Sequence, residues 1–195
     1  QFGSGGHEIG NILATRLEIP LYDNNLVRMA AEKLDIREET ARAVDETTLN
    51  SFLTGYVIAP MGYKEAIRSD EYIQPLNEQV YELQSEIIRK LSRRGACVIV
   101  GRCADYILKD HPGCIDVFIC ADHKDRIRRI AERYDLSEKK AADKNKRIDR
   151  ERKYYYESHT GLDWGSPLSH QILMNASRLG LEGTADVLEM IYRAG

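Results

Sequence analysis

Ala96-Cys97-Val98-Ile99-Val100-Gly101-Arg102 is a run of five apolar residues that stops on a glycine and an arginine. An unbroken apolar run of that length is read as a strand covered on both faces, as in a parallel sheet, because a half-solvated strand would alternate with polar residues. Residues 115–121, containing Val117-Phe118-Ile119-Cys120-Ala121, repeat the pattern, and shorter strands are expected at 19–22 and 171–174. Between them the apolar positions recur at helical spacing. Residues 6–17 put Ile9, Ile12, Leu13 and Leu17 on one face, and residues 24–34 do the same with Leu26, Val27, Ala30, Ala31 and Leu34. Residues 70–93 read as a long helix carrying Ile73, Leu76, Val80, Leu83, Ile87 and Leu91. Further helices are predicted at 37–46, 122–134, 137–156 and 181–192, while Gly55, Pro60 and Gly62 mark residues 50–69 as irregular. Strands alternating with helices predict an α/β fold in three layers, with a parallel sheet between helices.

The 195 residues suit one domain with a sizeable core, 43% of them being hydrophobic. No apolar run approaches the roughly 18 residues of a membrane helix, and no signal peptide opens the chain. Cys97, Cys103, Cys114 and Cys120 contain no Cys-x-x-Cys pair, so they read as reduced thiols of a cytoplasmic protein. The net charge of −3 argues against a general nucleic-acid binder. Residues 124–153 nevertheless hold 13 basic and 7 acidic residues. Within them Arg126 and Arg129 share one helical face, as do Arg147 and Arg150. Each could be half of a solvated ion pair; convergent arginines also suit phosphate, because the guanidinium stays charged and binds bidentately.

Gly3-Ser4-Gly5-Gly6 leads directly into the first amphipathic helix. Glycines let amide N–H groups turn inward, and the helix N-terminus adds positive partial charge, so the segment can cradle a phosphate. It departs from the common Gly-x-x-x-x-Gly-Lys-Ser/Thr pattern: Gly6 stands where the lysine belongs and His7 where the hydroxyl residue belongs. Phosphate loops follow a strand, so a first strand is expected upstream of residue 1.

The glycine loop, the Gly101-Arg102 strand end, Arg147-Ile148-Asp149-Arg150-Glu151-Arg152 and the closing Ile172-Leu173-Met174-Asn175-Ala176-Ser177 follow in that order. The order resembles the P-loop nucleoside monophosphate kinases. Together with the start Gln1-Phe2-Gly3-Ser4-Gly5-Gly6-His7-Glu8 and Ile19-Pro20-Leu21-Tyr22-Asp23, it is most similar to the divergent cytidylate kinase-like family. The resemblance implies a single P-loop kinase domain with a five-stranded sheet. Residues 35–75 would be a mobile acceptor-binding insertion and 137–165 a lid.

It implies phosphoryl transfer from ATP, with Mg2+, to a nucleoside monophosphate, CMP or dCMP being favoured. The donor side would comprise Gly3, Ser4, Gly5, Gly6, His7, Glu8, Arg126 and Asn175, and the transferring group would meet Arg147, Arg150 and Arg152. Arg126 could instead lie at the lid hinge, and Asn175 could satisfy backbone groups. The acceptor side would comprise Asp23, Arg28, Arg102 and Asp149. Asp23 could bind a sugar hydroxyl or a magnesium water, or cap the second helix; Asp149 could order the lid or read the acceptor. No Mg2+ ligands are identifiable, since Val100 and Cys103 flank Gly101-Arg102 where cytidylate kinases proper carry acids. The partners expected are small-molecule nucleotides, with neither nucleic acid nor membrane, and no oligomeric state follows. Residues 35–75 match cytidylate kinase poorly, which keeps open a kinase of another small molecule. The missing loop lysine keeps open a catalytically silent nucleotide-binding protein.

Overall fold

The apolar runs pair as parallel ladders in a computed structural model that describes residues 1–23, 25–34 and 76–195. The helix expected at 37–46, the irregular stretch at 50–69 and the proposed insertion at 35–75 lie outside the described residues. Residues 1–23 and 88–195 form one compact unit and residues 24–87 a second.

In the first unit α1 (Gly6–Arg16) is followed by β1 (Leu21–Tyr22). After α2 (Asn25–Leu34) and α3 (Leu76–Ser92) come β2 (Val98–Ile99) and α4 (Ala104–Ile107). Then follow β3 (Val117–Cys120), α5 (His123–Tyr134), α6 (Glu138–Thr160), β4 (Ile172–Asn175) and α7 (Ala176–Ala194). The parallel orientation expected is present. Leu21 and Tyr22 pair with Val98 and Ile99, and Val117–Cys120 pair in register with Ile172–Asn175. The described residues thus form two two-stranded sheets, where one continuous sheet was expected. β1 and β2 span only two residues each. Val98, Ile99 and Val100 are half-buried rather than buried, because among the described residues each strand has a single ladder partner.

Helix α1 lies across both pairs. Gly10 sits against the side chains of Val98, Val100 and Leu21, and Gly6 against Ile119. The Gln1 nitrogen donates to the Ile119 carbonyl at 2.8 Å, which sets the start of the glycine loop beside β3. One core cluster joins Ile9 of α1 to Met174 of β4 and to Ala176, Ala185 and Leu188 of α7. Trp164, in the turn after α6, stands edge-on to Phe118 of β3 with ring centroids 5.3 Å apart.

Helix ends are set by side chains and glycines. Ser137 caps α6 by accepting from the Lys140 amide, and Gly161, at φ 69°, closes it four residues beyond the expected Tyr156. Asn175 accepts from the Ser177 amide, so α7 begins at Ala176, five residues before the expected Leu181, and breaks at Gly180. In the second unit Leu26, Val80, Gln84 and Ile87 are buried. The polar Gln84 takes the inward place expected of Leu83, which is half-buried. Among the described residues no helix is long and apolar enough to cross a membrane, and the four cysteines are free thiols.

Candidate functional site

The glycine loop is built as a turn that a side chain would spoil. Gly3 and Gly5 have φ of 76° and 88°, a region costly for residues with a Cβ. A Cβ on Gly5 would come within 2.3 Å of the Leu181 side chain. Gly5 is the N-cap of α1, with no side-chain cap to use up the first-turn amides. Ser4 is 1% exposed and its hydroxyl donates to the Gln1 carbonyl at 2.8 Å, so it braces the loop from inside.

Three arginines of α5 hold the loop from outside. Arg126, 7% exposed, donates through Nε to the Phe2 carbonyl at 2.8 Å. Arg129 donates to the Gly3 carbonyl, and its guanidinium lies 3.5 Å from where a Gly5 side chain would begin. Arg133 pairs with Glu8 at 2.6 Å. These bonds neutralise backbone carbonyls and leave a fixed cation, Arg129, against the loop where Gly6 supplies none.

Helix α6 reaches the same place. Asp149 accepts from the Phe2 amide at 2.8 Å and from the Arg126 guanidinium. Its side chain is 18% exposed and that of Arg126 9%, so this ion pair is largely withdrawn from water. Arg152 lies over the Phe2 ring, 5.4 Å from its centroid. Arg147 is exposed and sits 3.6 Å from Glu151, while Arg150 is exposed with no ion pair among the described residues. A flexible exposed guanidinium of this kind can turn onto an incoming phosphate at little cost, since a surface ion pair contributes only about 0–1 kcal/mol.

His7 bonds Asp23 at the end of β1, Nε2 to Oδ2 at 2.6 Å. Asp23 is therefore engaged with the first turn of α1. Mg2+ prefers carboxylate, phosphate and water oxygens. Among the described residues at the loop entrance the Ser4 hydroxyl is committed to Gln1 and His7 offers no oxygen, while Asp23 carries a carboxylate that could hold such an ion. One carboxylate fits a magnesium ion carried mainly by nucleotide phosphates. Asn175 is occupied at both ends of its amide: it caps α7 and donates to Asp122 at 2.9 Å. Arg28 is exposed on α2, in the other unit.

Arg102 stands in an unusual turn. Gly101, Arg102 and Cys103 have φ of 76°, 59° and 53°, three left-handed residues in succession, two of them with side chains. Each non-glycine in that region costs on the order of 1–2 kcal/mol. Burial pushes the Cys103 thiol up to about 12, so it is a packing group and not a nucleophile.

Sequence reasoning missed what lies behind this turn. Asp105 of α4, Asp116 before β3 and His170 before β4 offer ligand atoms within 4.8 Å of one another. The Tyr156 hydroxyl donates to Asp105 at 2.6 Å. His170 Nε2 accepts from the Gly165 amide at 3.3 Å, which leaves its proton on Nδ1, 3.1 Å from Asp116. With both ring nitrogens engaged, the imidazole is a hydrogen-bonding post rather than a metal ligand. Burial, and then the neighbouring Asp116, hold the Asp105 carboxyl above its ordinary 3.8.

The raised Asp105 value has a direction in stability. The folded state binds that proton more tightly than the unfolded chain, so the contribution is present in acid and lost as pH rises through the folded value. Asp105→Asn cannot ionise and keeps an oxygen for Tyr156. Relative to the parent protein it is expected to gain stability from pH 4 to pH 7, read from urea midpoints; a difference independent of pH would refute the assignment.

Comparison with known proteins bears on this geometry. A family model described as the cytidylate kinase-like family matches residues 1–178. The fold is similar to a crystal structure of an uncharacterized protein from Eubacterium ventriosum ATCC 27560, with TM-score 0.71 and 25% identity over 100% of this chain and 94% of that one. The crystal structure of TT1252 from Thermus thermophilus aligns with TM-score 0.44 and 18% identity, over 96% of this chain and 92% of that one. No curated protein matches the chain.

Proposed function

Since this chain belongs to the cytidylate kinase-like family, we propose that it is an ATP-dependent kinase of a nucleoside monophosphate, with CMP or dCMP the favoured acceptor. The observation that carries the reading is the glycine loop itself. It is held in left-handed turns at the N-terminus of α1 and tied through Arg126 and Asp149 to the helix that bears Arg147 and Arg150. On this reading the parallel pairs are parts of a three-layer P-loop kinase core, and residues 137–165 are its lid segment, covering the donor site with α6 already seated through Asp149 and Tyr156 rather than swinging over it.

The loop amides and the first turn of α1 bind the donor β-phosphate. Arg129 contributes the positive charge that Gly6 lacks. Arg102 fixes the acceptor phosphate at the end of β2, and Arg147, Arg150 and Arg152 gather the charge of the transferring group. An oxygen of the acceptor phosphate attacks the γ-phosphorus, its new P–O bond forming as the bond to ADP breaks. Phosphate monoesters are largely dianionic at neutral pH, with a second pKa of about 6, so no protein base is required. Bound beside Asp23, Mg2+ would supply charge neutralisation of the donor phosphates.

The test follows ADP release with ATP and magnesium against CMP, dCMP, UMP, AMP, GMP and non-nucleotide acceptors, alongside the ATP-dependent rise in melting temperature. Turnover with one monophosphate is expected, and Gly5→Ala should abolish both turnover and the ATP-dependent rise. Stabilisation without turnover would make the protein a silent nucleotide binder; absence of both would end the reading.

A further inference from the structure

Helix α6 is pinned at two points on one face. Asp149 accepts from the Phe2 amide at 2.8 Å and from Arg126. Seven residues later Tyr156, 5% exposed, donates to Asp105 at 2.6 Å. Seven residues are two helical turns, so both side chains leave the same face, about 10 Å apart along the axis. One anchor is the glycine loop. The other is α4, a helix of four residues that immediately follows the left-handed run Gly101, Arg102 and Cys103.

That run cannot be held by local preference, because two of its residues have side chains in a region that side chains disfavour. Its backbone support among the described residues includes the Ala104 amide on the Gly101 carbonyl at 3.2 Å and the first bonds of α4. A helix so short is not stable by itself. The long-range bond from Tyr156 crosses 51 positions of sequence and fastens Asp105, in the first turn of α4, to a 23-residue helix. Phe118 stacks on His170, and Tyr156 packs on the same imidazole with centroids 5.6 Å apart, so the phenol cannot swing away without disturbing β3.

We infer that α6 is a spacer that sets the glycine loop at a fixed distance from the arginine turn, and that Tyr156 is a positioning residue acting on Arg102 through Asp105. The spacer itself stands on the geometry alone; its consequence for acceptor binding rests on the kinase reading above. Donor and acceptor phosphates must meet in line, so the separation of their two binding turns is a catalytic dimension.

Hydrogen exchange on the full chain tests the spacer without any nucleotide. Tyr156→Phe removes one hydroxyl and keeps the ring. It should speed exchange of the Ala104, Ile107 and Leu108 amides by at least about tenfold while leaving Ser4 and Ile9 within about twofold. Asp149→Ala, which removes both acceptor oxygens, should do the reverse. Asp105→Asn, which retains an acceptor oxygen, should exchange these amides no faster than the parent protein, whereas Asp105→Leu should copy Tyr156→Phe. If either Tyr156→Phe or Asp149→Ala speeds both sets equally, or neither, the two-point attachment is overturned. In the turnover assay Tyr156→Phe should raise the acceptor KM at least about fivefold with the ATP-dependent melting shift unchanged. A fall in kcat with unchanged KM would overturn its positioning role. A parent protein that ATP does not stabilise would instead remove the kinase reading, and the exchange result would still judge the spacer.

Discussion

Arg150→Ala is expected, on the proposed kinase reading, to slow phosphoryl transfer at least about a hundredfold, and Arg147→Ala to do so similarly, because arginines that gather transition-state charge contribute factors of about a thousand or more. The fold should not notice either change. Both side chains are exposed on α6, Arg150 has no ion pair among the described residues, and the contact of Arg147 with Glu151 is a surface pair. Catalysis and stability therefore separate cleanly. Steady-state rates should collapse while unfolding free energies from urea titration stay within about 0.5 kcal/mol of the parent, as for most surface substitutions. Losses under about threefold for both variants would leave phosphoryl transfer with electrostatic stabilisation from elsewhere.

Arg126→Ala should have the opposite signature. It removes the cation of a largely buried pair and leaves the Asp149 carboxylate without its partner, a change that typically costs about 3–5 kcal/mol. It also strips the Phe2 carbonyl of its donor. Chemical denaturation should show the loss, and Arg126→Ala with Asp149→Ala should be more stable than Arg126→Ala alone, because the orphaned charge is gone. A loss below about 1 kcal/mol would mean that the pair behaves as a surface contact. Asp149 thereby braces the glycine loop through Phe2 and Arg126, a contact that neither expected role, ordering the lid or reading the acceptor, had included.

What was legible in the chain follows from what local chemistry dictates. The parallel strands were visible in the unbroken apolar runs around Val98 and Phe118, although Val98 to Val100 are half-buried and the described strands pair as two ladders rather than one sheet. The glycine turn was visible from Gly3 and Gly5 beside an amphipathic helix, but that composition alone suits an ordinary loop as well, and only its order with the later arginines singled it out. The ends of α6 and α7 were misjudged although Gly161 and Asn175 signal them; apolar periodicity outweighed the caps. The partnership of Asp105, Asp116, His170 and Tyr156 was not legible at all. Its members come from four separate segments, and each reads alone as an ordinary surface or packing residue. Arg126 was placed near the lid hinge or the donor base; that it would spend its guanidinium on a backbone carbonyl and Asp149 depends on how α5 and α6 pack against the loop.

Trp164 is the chain's single tryptophan, and it rests edge-on against Phe118. The β3–β4 ladder beneath it joins segments such as Asp116 and Gln171, which are 55 positions apart. Closing so long an intervening chain is slow compared with winding α5 and α6, whose bonds are local. In refolding, far-ultraviolet helicity should rise first, and the indole emission should shift only when the ladder shuts. The protein thus carries its own fluorescent clock for the closing of that ladder.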